Sequence, residues 1–323
     1  MCTAISFKGN HHYFGRNLDL EKRFGEAVTI TPRNYPFKFK FEEAMKEHYA
    51  IIGMAMVTDN YPLYFDATNE KGLSIAGLNF VGNAYLGDFV PLKTNLAPYE
   101  LIPYLLGRFE RVEECVKALE NINLVDVAFN SQLQNSELHW LIADDKECIV
   151  LECMREGMKT HKNLIGVLTN NPPFDYQMTN LNNYMGISTT EPQNNFSEKL
   201  QFQKYSRGMG ALGLPGDFSS VSRFVRASFA LLNSTNSQNE IENISQFFHI
   251  LDYVAQVDGC VKVGSEFERT QYSSCCDTKE GIYYFKTYEN SQISAVNMKH
   301  ENINGKALVC HKLPYIQQIC HMN

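Results

Sequence analysis

The chain has 323 residues, 44% of them hydrophobic and 20% charged, a balance typical of a globular protein with a sizeable core. Its 36 acidic and 29 basic residues give a net charge of -7, which argues against nucleic acid as a partner and against a polybasic membrane anchor. No stretch reaches the roughly 18 apolar residues of a membrane span, and the first residues lack the pattern of a secretory signal. We therefore expect a single domain over residues 1–323, located in the cytoplasm.

Short runs of β-branched and aromatic residues, separated by turn residues, dominate the N-terminal half and predict strands. Two segments carry apolar residues at helical spacing instead, and the first has Pro98 in its opening turn. The predicted strands are residues 3–7, 13–16, 27–31, 51–57, 63–66, 73–78, 138–143, 148–153, 158–162 and 165–169. The predicted helices of this half are residues 97–106 and 112–119.

Helical spacing returns in the C-terminal half, where a serine-rich segment supplies a good N-cap region before one of the helices. The predicted helices here are residues 176–184, 223–232 and 241–254, and the predicted strands are residues 282–288 and 292–298. Blocks of strands and blocks of helices, without strict βαβ alternation, favour an α+β fold over a doubly wound sheet.

The nine cysteines are odd in number and show no Cys-x-x-Cys spacing, so reduced and unlinked thiols are the expectation. The nine histidines are dispersed along the chain. The adjacent pair His11-His12 lies beside a Gly9-Asn10 turn, where two solvated histidines are a simpler interpretation than two metal ligands. The sequence therefore predicts no metal site.

Cys2 directly follows Met1 and opens an apolar run that predicts a strand. Methionine aminopeptidases remove Met1 when the second residue is small, which would leave a cysteine with both a thiol and a free α-amine. An α-amine has an ordinary pKa of about 7.7 to 8.0, so it can accept the thiol proton without a histidine. The position alone also fits an incidental cysteine, and other residues must distinguish the two hypotheses.

Two charged residues, Arg16 and Asp19, lie three positions apart after the second strand pattern. A hairpin through the Gly9-Asn10 turn would carry both of them back beside Cys2. An aspartate there could hold the α-ammonium or thiol proton, and an arginine would favour the thiolate. A surface ion pair at a strand end is the alternative explanation.

Asn79 and Asn170 each end an apolar strand pattern, where an amide group can donate to a developing oxyanion. Ordinary turn chemistry explains an asparagine before the Pro-rich segment that follows Asn170 equally well. Arg223 and Arg226 lie one turn apart in a predicted helix, where a solvated helix face is the simpler explanation.

Taken together, these segments resemble the choloylglycine hydrolase family, in order and at compatible spacings over essentially the whole chain. The segments that carry the resemblance are Cys2-Thr3 and residues 14–19, 66–72, 76–80, 168–172, 215–217 and 222–226. One departure is a slightly shorter N-terminal hairpin, which moves Arg16 and Asp19 without changing their spacing. Within the family, the chain resembles the members that act on bile salts in gut bacteria.

Members of the family are N-terminal-nucleophile hydrolases, so the resemblance implies a four-layer αββα sandwich and a homotetramer. It also implies that Cys2 is the nucleophile and that its freed amine is the base. Arg16 and Asp19 would orient and charge-balance that terminus. Asn79 and Asn170 would help to form the oxyanion hole. By the same resemblance, Arg223 would complete the polar network around the thiol.

The implied reaction hydrolyses the amide that joins a bile acid to glycine or taurine, through a thioester on Cys2, and it needs no metal or organic cofactor. Leu18 and Phe24 are candidates for the wall of the steroid cleft, although core packing also explains them. Arg207, beside Ser206 in a loop that lines the mouth of the site in the family, could bind a taurine sulfonate. A solvent-facing or inter-subunit arginine is the alternative.

A penicillin V acylase of the same family is the nearest alternative activity. Such acylases often carry an aromatic residue where this chain has Asn79, so the asparagine favours bile salts. A cysteine protease with a Cys/His dyad, or a non-catalytic binding protein in which Cys2 is incidental, would belong to a different class.

Overall fold

Two antiparallel sheets lie face to face with helices on their outer sides, in a computed structural model that describes residues 1–323. The strands are β1 (Cys2–Lys8), β2 (His12–Leu20), β3 (Ala27–Thr31), β4 (Ile51–Thr58), β5 (Tyr61–Asn69), β6 (Ser74–Asn79), β7 (Thr94–Leu96), β8 (Ile122–Leu124), β9 (Leu138–Ala143), β10 (Cys148–Met154), β11 (Gly157–Lys162), β12 (Val167–Leu168), β13 (Val261–Val263), β14 (Glu266–Asp277), β15 (Ile282–Thr287), β16 (Ser294–Asn297) and β17 (Val309–Lys312). The helices are α1 (Leu101–Arg108), α2 (Val112–Leu119), α3 (Phe174–Asn180), α4 (Ser220–Asn233) and α5 (Glu240–Asp252).

Sheet I has the order β12-β1-β2-β14-β15-β16, with β13 paired to β14, and sheet II has the order β11-β10-β9-β6-β5-β4-β3-β17. Helices α4 and α5 pack on sheet I, and α1 packs on sheet II through β4, β5 and β6. Strands β1 and β2 of sheet I contact β6 of sheet II directly. The order of layers is therefore helix, sheet, sheet, helix, which confirms the predicted four-layer αββα sandwich.

Alternation along the strands of sheet II divides the apolar side chains between two separate cores. On β9, Leu141 and Ala143 join a cluster of 36 buried residues that fills the space between the sheets and under α4 and α5. Trp140 and Ile142 of the same strand join a second cluster of 25 buried residues under α1 and α2. Judged by their length and hydropathy, none of the helices could span a lipid bilayer.

Most of the predicted elements occur, and three of them, residues 27–31, 112–119 and 138–143, have the predicted bounds. The predicted strand at 165–169 is reduced to β12, and the predicted helix at 176–184 is divided between α3 and a 3-10 turn, Leu181–Tyr184. Five strands are absent from the prediction: β7, β8, β13, β14 and β17. The omission of β14 matters most, because this strand of 12 residues pairs with both β2 and β15 in sheet I.

Candidate active site

The hairpin of β1 and β2 brings the first charged residues of the chain next to Cys2. The two strands are antiparallel, with Cys2 opposite Leu18 and Ala4 opposite Arg16. Asp19 follows the partner of Cys2 by one residue, so both charged residues lie at the same end of the hairpin. Gly15 allows β2 to approach β14 closely, because a Cβ atom at this residue would lie only 2.0 Å from the Ser274 carbonyl oxygen on β14.

Cys2 is buried, and its backbone is held by two side chains from distant parts of the sequence. Its N–H donates to Asn170 Oδ1 at 2.7 Å, and its carbonyl oxygen accepts a hydrogen bond from Arg223 Nη1. Arg223 also donates to Asn170 Oδ1 at 2.8 Å and to Thr3 Oγ1 at 2.7 Å. One guanidinium therefore ties the end of β1 to the segment after β12.

Asp19 places a fully buried carboxyl group at this end of the hairpin. Its Oδ1 accepts a hydrogen bond from Thr270 Oγ1 at 2.6 Å, whereas its Oδ2 has no hydrogen-bond partner and lies 4.0 Å from Arg223 Nη1. Burial raises the pKa of the Asp19 carboxyl group, against the opposing effects of Arg223, the chain terminus, Thr270 and Arg16. The second oxygen of this carboxyl group can therefore accept a further hydrogen bond.

The α-amino group of Met1 lies close to this carboxyl group. It donates to the backbone carbonyl oxygen of Asp19 at 2.7 Å and forms an ion pair with Glu268. Burial lowers the pKa of this amino group below its ordinary value of 8.0. Removal of Met1 would transfer the positive charge by one residue, to the nitrogen of Cys2 that Asn170 already holds.

Arg16 is a second buried guanidinium beside Cys2. It donates to the carbonyl oxygens of Phe65, at 3.0 Å, and of Gly77, while its Nη2 has no hydrogen-bond partner. Burial opposes its charge, but attraction to Cys2, Tyr272, Asp66 and Asp19 outweighs burial and raises its pKa. Arg16 therefore provides a fixed positive charge at the site.

Asn79 and Asn170 lie next to each other although 91 residues separate them. Asn170 Nδ2 donates to the Asn79 carbonyl oxygen at 2.7 Å, which uses one of its two hydrogens. The N–H of Phe80 donates to the carbonyl oxygen of Glu137, which immediately precedes β9. Because successive N–H groups along a strand point to opposite sides, the Asn79 N–H points away from β9. Both groups can therefore offer an N–H donor near Cys2.

A cavity of about 330 Å³ reaches Cys2, and 14 of the 22 residues that line it are hydrophobic. Leu18 and Phe24 are among them, together with Arg16 and Asn79. Leu18 is buried at the cavity wall, and Phe24 is 36% exposed. The cavity is thus an apolar space with a thiol and a guanidinium in its lining.

Arg207 does not line this cavity. It lies in an exposed segment before a 3-10 turn, Met209–Ala211, and its carbonyl oxygen accepts a hydrogen bond from Ser206 Oγ. Its contact with a substrate therefore stays a prediction. No group of three or more His, Cys, Asp or Glu residues in the chain is arranged to hold a metal ion.

Several polar groups that were not predicted from the sequence lie on strand β14. Thr270 binds Asp19, and Tyr272 and Ser274 donate to Asp66 Oδ1 and Oδ2 at 2.6 and 3.1 Å. Asp66 is buried on sheet II, so these bonds connect the two sheets behind Arg16. The available signal was the β-propensity of Thr270 and Tyr272 in a stretch without glycine or proline.

The arrangement suits nucleophilic chemistry on a carbonyl compound. A thiol lies in an apolar cavity, a buried guanidinium lines the same cavity, and two amide donors lie beside it. A free amine on the same residue would supply a base within reach of the thiol. No histidine lines the cavity, so the geometry does not favour a Cys/His dyad.

Comparison with known proteins gives consistent matches over nearly the whole chain. The profile of the linear amide C-N hydrolases, choloylglycine hydrolase family, matches residues 2–311. A bile salt hydrolase/transferase of Lactiplantibacillus plantarum is 53% identical over 314 residues, which is 97% of each chain. A solved mutant of the conjugated bile acid hydrolase from Clostridium perfringens is 37% identical, with a TM-score of 0.93 and 100% of each chain covered. A penicillin V acylase structure from Agrobacterium tumefaciens shares the fold, with a TM-score of 0.76 at 21% identity over 95% of this chain and 90% of that one.

Proposed function

This chain belongs to the choloylglycine hydrolase family of enzymes that act on linear amides, and we propose that it hydrolyses the amide bond of glycine- or taurine-conjugated bile salts. The observation that carries this proposal is an apolar cavity with Cys2 in its lining, bordered by Arg16 and Asn79. The names of the relatives that are 53% and 38% identical support the substrate class.

We propose that Cys2, freed of Met1, supplies both the nucleophile and the base. The new α-ammonium group would stay near Asn170 Oδ1, the present partner of the Cys2 nitrogen, and would be balanced by the unpartnered Oδ2 of Asp19. In its neutral form the amine accepts the thiol proton, and the guanidinium of Arg16 lines the same cavity as the resulting anion.

The reaction then proceeds in two steps. The thiolate attacks the amide carbonyl carbon, and the ammonium group gives its proton to the leaving nitrogen as the C–N bond breaks, which releases glycine or taurine. Water next attacks the thioester, its proton passes to the amine, and the C–S bond breaks to release the bile acid and restore the thiol. Each step places negative charge on the carbonyl oxygen, where Asn170 Nδ2 and the Asn79 N–H would donate.

The apolar lining suits the steroid body, because burial of an apolar surface is favourable by roughly 25 cal/mol per Å². Leu18 and Phe24 would contact the steroid, and Arg207 would have to approach the mouth to reach the sulfonate of a taurine conjugate. We also propose that the chain forms one functional domain and that the protein is located in the cytoplasm. We propose that it assembles as a homotetramer, and size-exclusion chromatography with light scattering would test this oligomeric state.

One assay separates this proposal from the alternatives. Purified protein is incubated with glycocholate, taurocholate and penicillin V, and the released amines and acids are quantified. Release of glycine or taurine supports bile salt hydrolysis, preferential release of phenoxyacetate supports a penicillin V acylase, and no release from any substrate supports a binding protein.

Mass spectrometry tests the nucleophile independently of the substrate. We expect the intact mass to lack Met1 and we expect iodoacetamide to modify the new N-terminal cysteine. A tag placed before Cys2 should abolish turnover, because it masks the amine and crowds the cavity. Normal rates in the tagged protein would contradict the amine as the base.

A further inference from the structure

A buried histidine lies directly behind the two amide donors. His139 on β9 is fully buried, and its Nε2 lies 2.9 Å from the Thr169 carbonyl oxygen, while its Nδ1 lies 3.3 Å from Glu152 Oε1. A carbonyl oxygen can only accept, so the Nε2 atom carries a hydrogen and donates it to Thr169. This hydrogen bond fixes the peptide that immediately precedes Asn170.

The same imidazole ring supports the other amide segment by stacking. The rings of His139 and Phe80 are nearly parallel, with an angle of 8° and a centroid separation of 4.3 Å. Phe80 is buried and directly follows Asn79. One side chain therefore contacts the neighbours of both Asn79 and Asn170, which are far apart in the sequence.

Glu152 on β10 holds this histidine in place. Its Oε1 accepts a hydrogen bond from the Phe174 N–H at 2.9 Å, at the beginning of α3, and its Oε2 lies 3.4 Å from His161 Nε2. His161 Nδ1 in turn lies 3.1 Å from the exposed carboxylate of Asp175. These side chains thus lie in a row from the surface to the peptide before Asn170, although Glu152 Oε2 and His161 Nε2 form no hydrogen bond with each other.

We propose that His139 is a positioning residue that sets the orientation of the Asn170 and Asn79 donors, with Glu152 fixing its ring. This proposal rests on the proposed function, in which those two residues stabilise the oxyanion. A positioning residue affects the rate directly, because a displacement of about 1 Å in a catalytic group can lower the rate by about 10²-fold. Ordinary core packing would instead affect stability alone.

A double-mutant cycle in turnover tests the proposal. His139→Phe keeps an aromatic ring for stacking on Phe80 but loses the Nε2–H donor, and we expect kcat on glycocholate to fall roughly 10- to 100-fold with KM changed less than threefold. In the Asn170→Ala background the same substitution should lower kcat by at most about threefold, because the donor that the Nε2–H positions is already gone and the ring that stacks beside Asn79 is kept. Equal fold losses in both backgrounds would overturn the proposal, as would wild-type turnover by folded His139→Phe.

Two further variants keep the test decisive. Glu152→Gln leaves His139 able to donate to Thr169, so its loss in kcat should be about threefold or less, and a larger loss than that of His139→Phe would contradict the proposed order of action. His12→Phe removes another buried histidine, at the far end of β1 and β2, and should lower the melting temperature with kcat unchanged.

If Asn170→Ala alone keeps full turnover, the proposed function of that residue fails, and this result is distinct from failure of the His139 proposal. If His139→Phe does not fold, His139→Gln, which can still donate to Thr169, should recover most of kcat; a loss equal to that of Asn170→Ala would overturn the proposal.

Discussion

Both ends of the hairpin formed by β1 and β2 bury polar side chains, but the two ends differ in how fully those side chains are hydrogen-bonded. At the turn end, His12 has a partner for each ring nitrogen, Ser6 Oγ at 2.9 Å and Thr278 Oγ1 at 3.1 Å. At the open end, Arg16 Nη2 and Asp19 Oδ2 are buried without any hydrogen-bond partner. Such groups cost free energy unless something else satisfies them, so the open end is built for a ligand or a new charge.

The spaces next to the two ends differ in the same way. A cleft of about 390 Å³ at the turn end is lined by no hydrophobic side chain and by several lysines. The cavity at the open end has a similar volume, about 330 Å³, but a mostly hydrophobic lining. Volume therefore does not identify the site; unsatisfied polar groups beside an apolar space do.

The largest expected effect comes from the thiol at the open end. Cys2→Ser should keep the fold and lose turnover by at least roughly 10³-fold, because a hydroxyl is a much weaker nucleophile than a thiolate. Steady-state release of glycine from glycocholate measures the loss, with Cys310→Ser, an exposed cysteine, as the matched control that keeps wild-type turnover. Full activity of Cys2→Ser would remove the thiol mechanism.

The amide donors give the next largest effect. Asn170→Ala should lower kcat by roughly 10² to 10³, with a smaller change in KM, as the loss of an oxyanion donor does. Asn79→Ala should cost less, since its backbone N–H remains. The control is buried Asn163, whose side chain hydrogen-bonds only to the backbone of Ile165, Gly166 and Val167; its alanine variant should lose stability and keep kcat. A pure KM effect in both site variants would assign them to substrate binding.

The turn end should govern stability rather than rate. Burial lowers the pKa of His12 from 6.5 to about 4, despite the opposing charges of Asp144 and Asp145. Between these pH values the unfolded chain binds a proton that the folded chain does not, so stability falls as the pH falls from about 6.5 to about 4, by roughly 3 kcal/mol in total. Urea unfolding across this range checks the slope, which His12→Phe should reduce. An unchanged slope in the variant would contradict the assignment.

The smallest expected effect concerns the exposed loop, which belongs to neither end. If Arg207 reaches a bound conjugate, Arg207→Ala should lower kcat/KM for taurocholate by roughly tenfold and affect glycocholate less, since a sulfonate offers three acceptor oxygens to a guanidinium. Equal losses on both substrates, or no loss on either, would assign Arg207 to general steering, to assembly or to solvent.

Local structure could be predicted from the sequence wherever an element carries a clear apolar pattern. The strands at residues 27–31 and 138–143 follow from short runs of β-branched, aromatic and other apolar residues, and the helix at 112–119 follows from helical spacing. All three occur with the predicted bounds. The N-terminal hairpin also followed from its turn, which placed Arg16 and Asp19 at the Cys2 end. These are short-range signals, because the pattern that defines them lies within the element itself.

The surroundings of Cys2, in contrast, depend on contacts between segments that are far apart in the sequence. Strand β14 is polar along most of its length, yet both of its faces are buried from Thr270 onward, so it has no apolar alternation to reveal it. Its Thr270 completes the environment of Asp19 from 251 residues away. The meeting of Asn79 with Asn170, and the position of His139 behind them, likewise depend on the packing of sheet I against sheet II. Contacts between distant segments depend on the geometry of the whole sandwich, and a local pattern does not encode that geometry.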